Sequence, residues 1–144
     1  MFHQKGFTLI EILVVIAVIG VIISFGMAID LNTFGSDTFR AEQSTIVSVL
    51  ERARSRSMSN AFDSAHGVCY IAPDYIIFRN GTCAISATSE SIRANTNIAG
   101  NPSTILPTIV FSRLTGNTIS TTFHITNGIK SADIIINDEG TINW

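Results

Sequence analysis

The sequence is poor in the residues most chemistry needs. Only 14 % of its 144 residues are charged, with 9 Lys and Arg against 11 Asp and Glu, for a formal net charge of −2. A chain so balanced is not a polyanion binder as a whole. It has two cysteines, Cys69 and Cys83, so neither a four-cysteine zinc site nor a disulfide-dense scaffold can be built from it. The three histidines, His3, His66 and His124, stand apart from one another and from any cysteine pair at zinc spacing. Serine is abundant, yet no G-x-S-x-G phrase activates one. Asp138 and Glu139 share a turn, the usual place of a solvated acidic pair, and with Asp133 they lack the EF-hand pattern. No repeat and no low-complexity segment is present. These absences exclude an enzyme: no catalytic residue, metal or cofactor is expected.

What the chain does have is concentrated at its start. A leader carrying Lys5 ends in Gly6, and Phe7 opens an apolar run to Ile29, interrupted by one charge, Glu11. The run is about 23 residues, long enough to span a bilayer as a helix. The basic leader orients it with the N-terminus in the cytoplasm. An ordinary secretory signal carries its small-residue cleavage site after the apolar segment, whereas here the glycine precedes it. A carboxylate at the start of such a helix is costly unless it finds a partner. Gly20 and Gly26 soften the helix by about 1 kcal/mol each relative to alanine.

The phrase GFTLIEILVVIAVIG, Gly6 to Gly20, resembles the class III signal peptide of type IV pilins and type II secretion pseudopilins. The resemblance implies that a prepilin peptidase cuts between Gly6 and Phe7, that Phe7 is then N-methylated, and that Glu11 serves assembly. Loss of Lys5 would take the net charge to about −3 before the new amine is counted. That amine is cationic near neutral pH, so Glu11 of one subunit can pair with Phe7 of a neighbour in an apolar filament core, where an unpaired carboxylate is heavily penalised. Many members carry a helix-breaking proline where this chain has Met27 and Ala28.

Beyond Ile29 the helix is expected to continue, with Asn32 and Gly35 as weak points. Phe39, Ile46, Val49, Leu50 and Ala53 fall on one face. Arg40, Glu42, Gln43, Ser44, Glu51 and Arg52 are read as the wet side, and Ser55, Ser57, Ser59 and Asn60 as the end. A single helix over residues 7–58 would reach roughly 78 Å.

The remainder reads as a β-rich head. Strands are predicted at His66–Ala72, Tyr75–Arg79, Cys83–Ser86, Thr108–Arg113, Ile119–Thr126, Asp133–Asn137 and Thr141–Trp144. Turns are read at Pro73-Asp74, Asn80-Gly81, Thr115–Asn117, Asn127-Gly128 and Asp138–Gly140, with Ala87 to Thr104 a polar surface loop. The spacing predicts one antiparallel meander with a face on the helix. The fold class is therefore α+β, pilin-like by resemblance: leader 1–6, membrane or filament-core half-helix 7–29, amphipathic half-helix 30–58, head 59–144.

In the head, ARSRSM (Ala53–Met58), HGVCY (His66–Tyr70), YIIFR (Tyr75–Arg79), IVFSRLTG (Ile109–Gly116) and ADIIINDEGTINW (Ala132–Trp144) resemble in order the GspH/FimT group of minor pseudopilins and minor pilins. This implies a minor structural subunit of a type IV pilus or type II secretion pseudopilus; a major pilin and a FimT-like DNA-binding subunit are the alternatives. The implied partners are prepilin peptidase, other pilin or pseudopilin subunits, an inner-membrane assembly platform, and lipid before assembly. The implied location is the bacterial inner membrane, single-pass with the head outside the cytoplasm, and then the filament.

Some FimT-like subunits bind DNA through arginines near a C-terminal glycine, but here that place reads Gly140 to Trp144 without arginine. Arg52 and Arg56 share a helix face and are the remaining candidate DNA contacts; with Glu51 beside them, nucleic acid is disfavoured. Trp144 reads as a stacking residue or, more simply, as a capped core aromatic. Export to an oxidising compartment would allow Cys69 and Cys83 to join, closing a short loop worth about 3 kcal/mol; two buried thiols are the alternative.

Overall fold

A computed structural model describes residues 8–27 and 31–144, with side chains of 8–24 and 36–144. The chain divides into two compact units, Met1–Gly35 and Ser36–Trp144. The first holds helix α1 (Leu9–Met27) and the start of helix α2 (Leu31–Met58). Whether one helix covers 7–58 falls on Phe7 and residues 28–30, outside the described residues. Helix α2 runs unbroken through the expected weak points, Asn32 and Gly35.

In the second unit, α2 carries the predicted stripe. Phe39, Ile46, Val49, Leu50 and Ala53 are buried, joined by Val47. The same face also buries Glu42 and Ser57, which the sequence reading placed on the wet side and at a solvated helix end. Both lie at helical spacing from the stripe, Glu42 three residues past Phe39 and Ser57 four past Ala53. Asn60 ends the run in the left-handed region at φ 54°, its N–H on the Ser57 carbonyl, as Asn tolerates at a helix C-terminus.

The head departs from a single meander. Seven strands form two antiparallel sheets: β1 (His66–Ile71), β2 (Asp74–Arg79), β3 (Glu90–Arg93) and β4 (Ile109–Phe111) in the order β3-β2-β1-β4, and β5 (Thr121–Thr126), β6 (Ser131–Ile136) and β7 (Ile142–Asn143) in chain order. Strand β4 returns to the free side of β1 (His66 opposite Phe111) instead of extending the meander. Gly67 makes that approach possible, because a Cβ there would stand 2.6 Å from the Ile109 carbonyl oxygen and 2.4 Å from the Phe78 ring.

Cys83–Ser86 is not a strand, and Ala87 to Thr104 is not all loop. After Asn80-Gly81 the chain crosses the sheet and is tied by a covalent bond rather than a ladder. It then supplies the edge strand β3 and the short helix α3 (Thr96–Ala99), whose Asn95 cap accepts from the Asn97 N–H at 3.1 Å. Ile92 is half-buried, and Ile98 and Ala99 are buried, enough apolar surface to hold both elements down.

One core joins α2 to both sheets through Val68, Ile77, Phe111, Phe123, Ile125, Ile134 and Ile136. Fully buried side chains such as Leu50 and Phe111 each contribute roughly 1.5–3 kcal/mol. The opposite face of β1 and β2 has its own small cluster, Cys69, Ile76 and Phe78. Burial on both faces explains why Tyr75–Phe78 is a continuous apolar run rather than an alternation. Two positive-φ glycines, Gly116 and Gly140, bring the turns after β4 and β6 together, since a Cβ on Gly140 would lie 2.1 Å from the Gly116 carbonyl oxygen. Trp144 is 65 % exposed and caps no core.

Candidate functional site

The functional reading of the sequence rests on the N-terminal segment. Gly6 and Phe7 lie outside the described residues. Thr8 and Glu11 do not, and they form a helix start. The Glu11 N–H donates to the Thr8 carbonyl at 3.1 Å and toward Thr8 Oγ1 at 3.4 Å, in the T-x-x-E spacing of a capping box. That signal is legible in the sequence itself. It places the carboxylate of Glu11 in the first turn of α1, where the helix dipole favours negative charge by about 0.3–1 kcal/mol. Glu11 is solvent-exposed, open to a partner from outside the unit.

The described side chains that follow are aliphatic and uncovered: Leu9 is 80 % exposed, Ile16 63 % and Ile22 65 %. Ser24 turns its hydroxyl back onto the Gly20 carbonyl at 2.8 Å, hiding its polar group against the helix. Among the described residues no helix is long and apolar enough to cross a membrane. The expected span, 7–29, begins and ends outside them.

In the head, Arg52 and Arg56 do come together, one helical turn apart, but on a shared acid. Both guanidiniums pair with Glu90 at the start of β3, one on each carboxylate oxygen. Burial pushes the Glu90 carboxyl up, yet the hydrogen bonds from Arg56 and Arg52 outweigh it and hold Glu90 below the usual carboxylate range. The two candidate DNA contacts thus anchor α2 to the edge of the first sheet. Arg113 pairs with Asp63 at 2.9 Å, and Arg93 with Asp74 at 3.4 Å.

Cys69 and Cys83 are joined in a disulfide with Cα atoms 6.0 Å apart. Cys69 sits in the small cluster behind the first sheet and Cys83 at its rim, so the bond clamps the chain after β2 across that face. Of the isolated histidines, His66 is buried. Its backbone N–H donates to Ser57 Oγ at 2.8 Å, and the same hydroxyl donates to the Phe111 carbonyl at 3.0 Å. Ser57, which helical spacing already turns toward the core, thereby links α2, β1 and β4. His124 pairs across β5 and β6 with Asp133, Nδ1 to carboxylate at 2.6 Å, on the exposed face. No group of three metal-ligating side chains occurs among the described residues.

Residues 1–27 match the prokaryotic N-terminal methylation motif. No curated protein matches the chain. No solved structure matches it either.

Proposed function

We propose that this chain, which carries the N-terminal methylation motif of prepilin-type proteins, is a structural subunit, of the minor kind, in a type IV pilus or type II secretion pseudopilus. One observation carries the reading: the matched motif coincides with a helix whose aliphatic side chains have no cover among the described residues. Each such side chain gains roughly 1.5–3 kcal/mol on leaving water. The segment is therefore stable in lipid first and among neighbouring helices later.

On this reading, prepilin peptidase cuts after Gly6 and Phe7 is methylated. An inner-membrane platform then transfers the subunit from the bilayer to the filament. The first-turn carboxylate of Glu11 meets the Phe7 amine of an adjacent copy or relative, and the scarcity of water there makes the pair selective for correct register. The head stays outside the cytoplasm. The order of the five head phrases, from Ala53–Met58 to Ala132–Trp144, supports the GspH/FimT-like minor subunit over a major pilin.

Intact-mass analysis of the protein made beside an active prepilin peptidase tests the reading. A product beginning at methylated Phe7 is expected. Full-length protein retaining Met1 would sink it. Glu11→Ala should leave cleavage intact while removing the subunit from sheared filaments, in which the wild-type protein should be far scarcer than the main subunit.

A further inference from the structure

A cleft of about 390 Å³ opens in the head between the end of α2, the short helical turn Ala61–Asp63 and the chain entering β3. Arg56, Phe62, Arg79, Thr88, Ser89 and Glu90 line it. Its far wall is fixed. The Ser86 N–H donates to Ser89 Oγ at 2.9 Å, the Ser89 hydroxyl donates to the Ser86 carbonyl at 2.8 Å, and the disulfide at Cys83 anchors the same stretch. The near wall is Phe62, 74 % exposed and held at φ 57° between Asn60 and Asp63, which also have positive φ. Left-handed backbone at a bulky residue is strained and persists where the surroundings impose it.

The charges in the cleft do not balance. Arg79 lies over the Phe62 ring, 4.6 Å from its centroid, and enters no ion pair among the described residues. Arg56 faces the cleft as well, while the one carboxylate, Glu90, is already shared with Arg52. The cleft is thus a cationic spot on a chain of net charge −2. Stacking on an aromatic face leaves the guanidinium edge of Arg79 free for a two-pronged carboxylate contact. His66, opposite Arg79 in the ladder, senses the excess: burial lowers its pKa, a backbone bond at Ser64 opposes, and Arg56 and Arg79 push it further down.

The neighbouring backbone favours an extended chain as the ligand. Strand β3 runs on from Glu90 and is the edge of its sheet, with β2 as its one strand partner. An extended peptide laid along that edge gains main-chain hydrogen bonds. Thr88 and Ser89 can accept from its amides. A polyphosphate fits worse, because its closely spaced charges would fall beside Glu90, and two guanidiniums give little phosphate affinity at physiological salt.

We propose that this cleft docks an acidic, extended segment of a partner protein, with a carboxylate on Arg79 and an apolar neighbour against Phe62. The proposal goes beyond filament assembly and does not depend on it. The test is fluorescence anisotropy with the full chain in a non-ionic detergent. The probes are a labelled, amidated hexapeptide of alternating Glu and Val, its Gln–Val counterpart, and oligothymidylate. Saturable binding of the Glu–Val peptide is expected, without binding of the Gln–Val control. Arg79→Gln should weaken it by about fivefold, the scale of one exposed ion pair. Glu90→Gln, which removes the competing carboxylate, should tighten it. Thermal melting confirms that both variants are folded. Absence of peptide binding, equal binding by Arg79→Gln, or tighter binding of oligothymidylate than of the peptide would each overturn the proposal.

Discussion

The hydroxyl of Tyr75 on β2 donates to Glu42 Oε1 of α2 at 2.6 Å, with both residues buried. The same oxygen accepts the Asn95 N–H at 3.1 Å, at the cap of α3. One carboxylate thus fastens a helix, a strand and a short helix inside an apolar core. The motif that points to function lies elsewhere, so the role of Glu42 is to keep the head in one arrangement.

Removing Glu42 strands two donors, the Tyr75 hydroxyl and the Asn95 amide. Glu42→Ala should cost about 2–4 kcal/mol, and Tyr75→Phe, which leaves Glu42 one bond, about 1–3 kcal/mol. Urea denaturation reads both. Burial raises the Tyr75 pKa, and the hydrogen bond and charge of Glu42 raise it further. The folded state therefore holds this proton more tightly than the unfolded one. Its contribution is complete below the unfolded value of about 10 and declines as pH rises beyond it. Tyr75→Phe should flatten that alkaline loss, and an equally steep fall in the variant would contradict the assignment.

His66 predicts an acid-side loss. Burial lowers its pKa, against a backbone bond at Ser64, and Arg56 and Arg79 lower it further. The unfolded chain therefore takes up a proton that the folded chain resists. Stability should fall as pH drops below the unfolded value of about 6.5, before Glu90 contributes its own loss below about 4.5. The check is a urea midpoint series from pH 8 to 5, a window chosen about the ordinary histidine range. His66→Asn, which keeps a polar side chain, should remove much of the slope.

The Cys69–Cys83 bond spans a sequence separation of 14 residues. By the loop-entropy relation, reducing it should cost about 3 kcal/mol. The effect should concentrate on residues 80–89, which the bond ties across the first sheet. Amide exchange with and without reductant reads this directly: faster exchange there, with α2 retained, is the expected pattern. Uniform loss of protection throughout the head would instead make the bond a condition of the whole fold.

Some of this head was written locally and misread. The period that buries Phe39, Ile46, Val49, Leu50 and Ala53 also carries Glu42 and Ser57, so spacing alone is enough to place them with the core. Residue type argued the other way, and periodicity was right. The T-x-x-E start at Thr8 was equally available. The β1–β2 hairpin and the end of α2 at Met58 follow turn and cap residues within a few positions of each other.

By itself, the sequence determined the N-terminal motif at residues 1–27, the amphipathic register of α2 and the places where the chain turns, because each depends on neighbours within a turn or two. Tertiary structure alone decided that the strands divide into two sheets, that β4 closes on β1 and that residues 90–99 pair and coil. It also decided the contacts that matter most: Tyr75 on Glu42 across 33 residues, Arg52 on Glu90 across 38, and Arg79 over Phe62. Such pairs carry no local period. They exist because the core sets the distance between α2 and the sheets, and a buried or half-buried charge then takes the partner that the fold brings within reach.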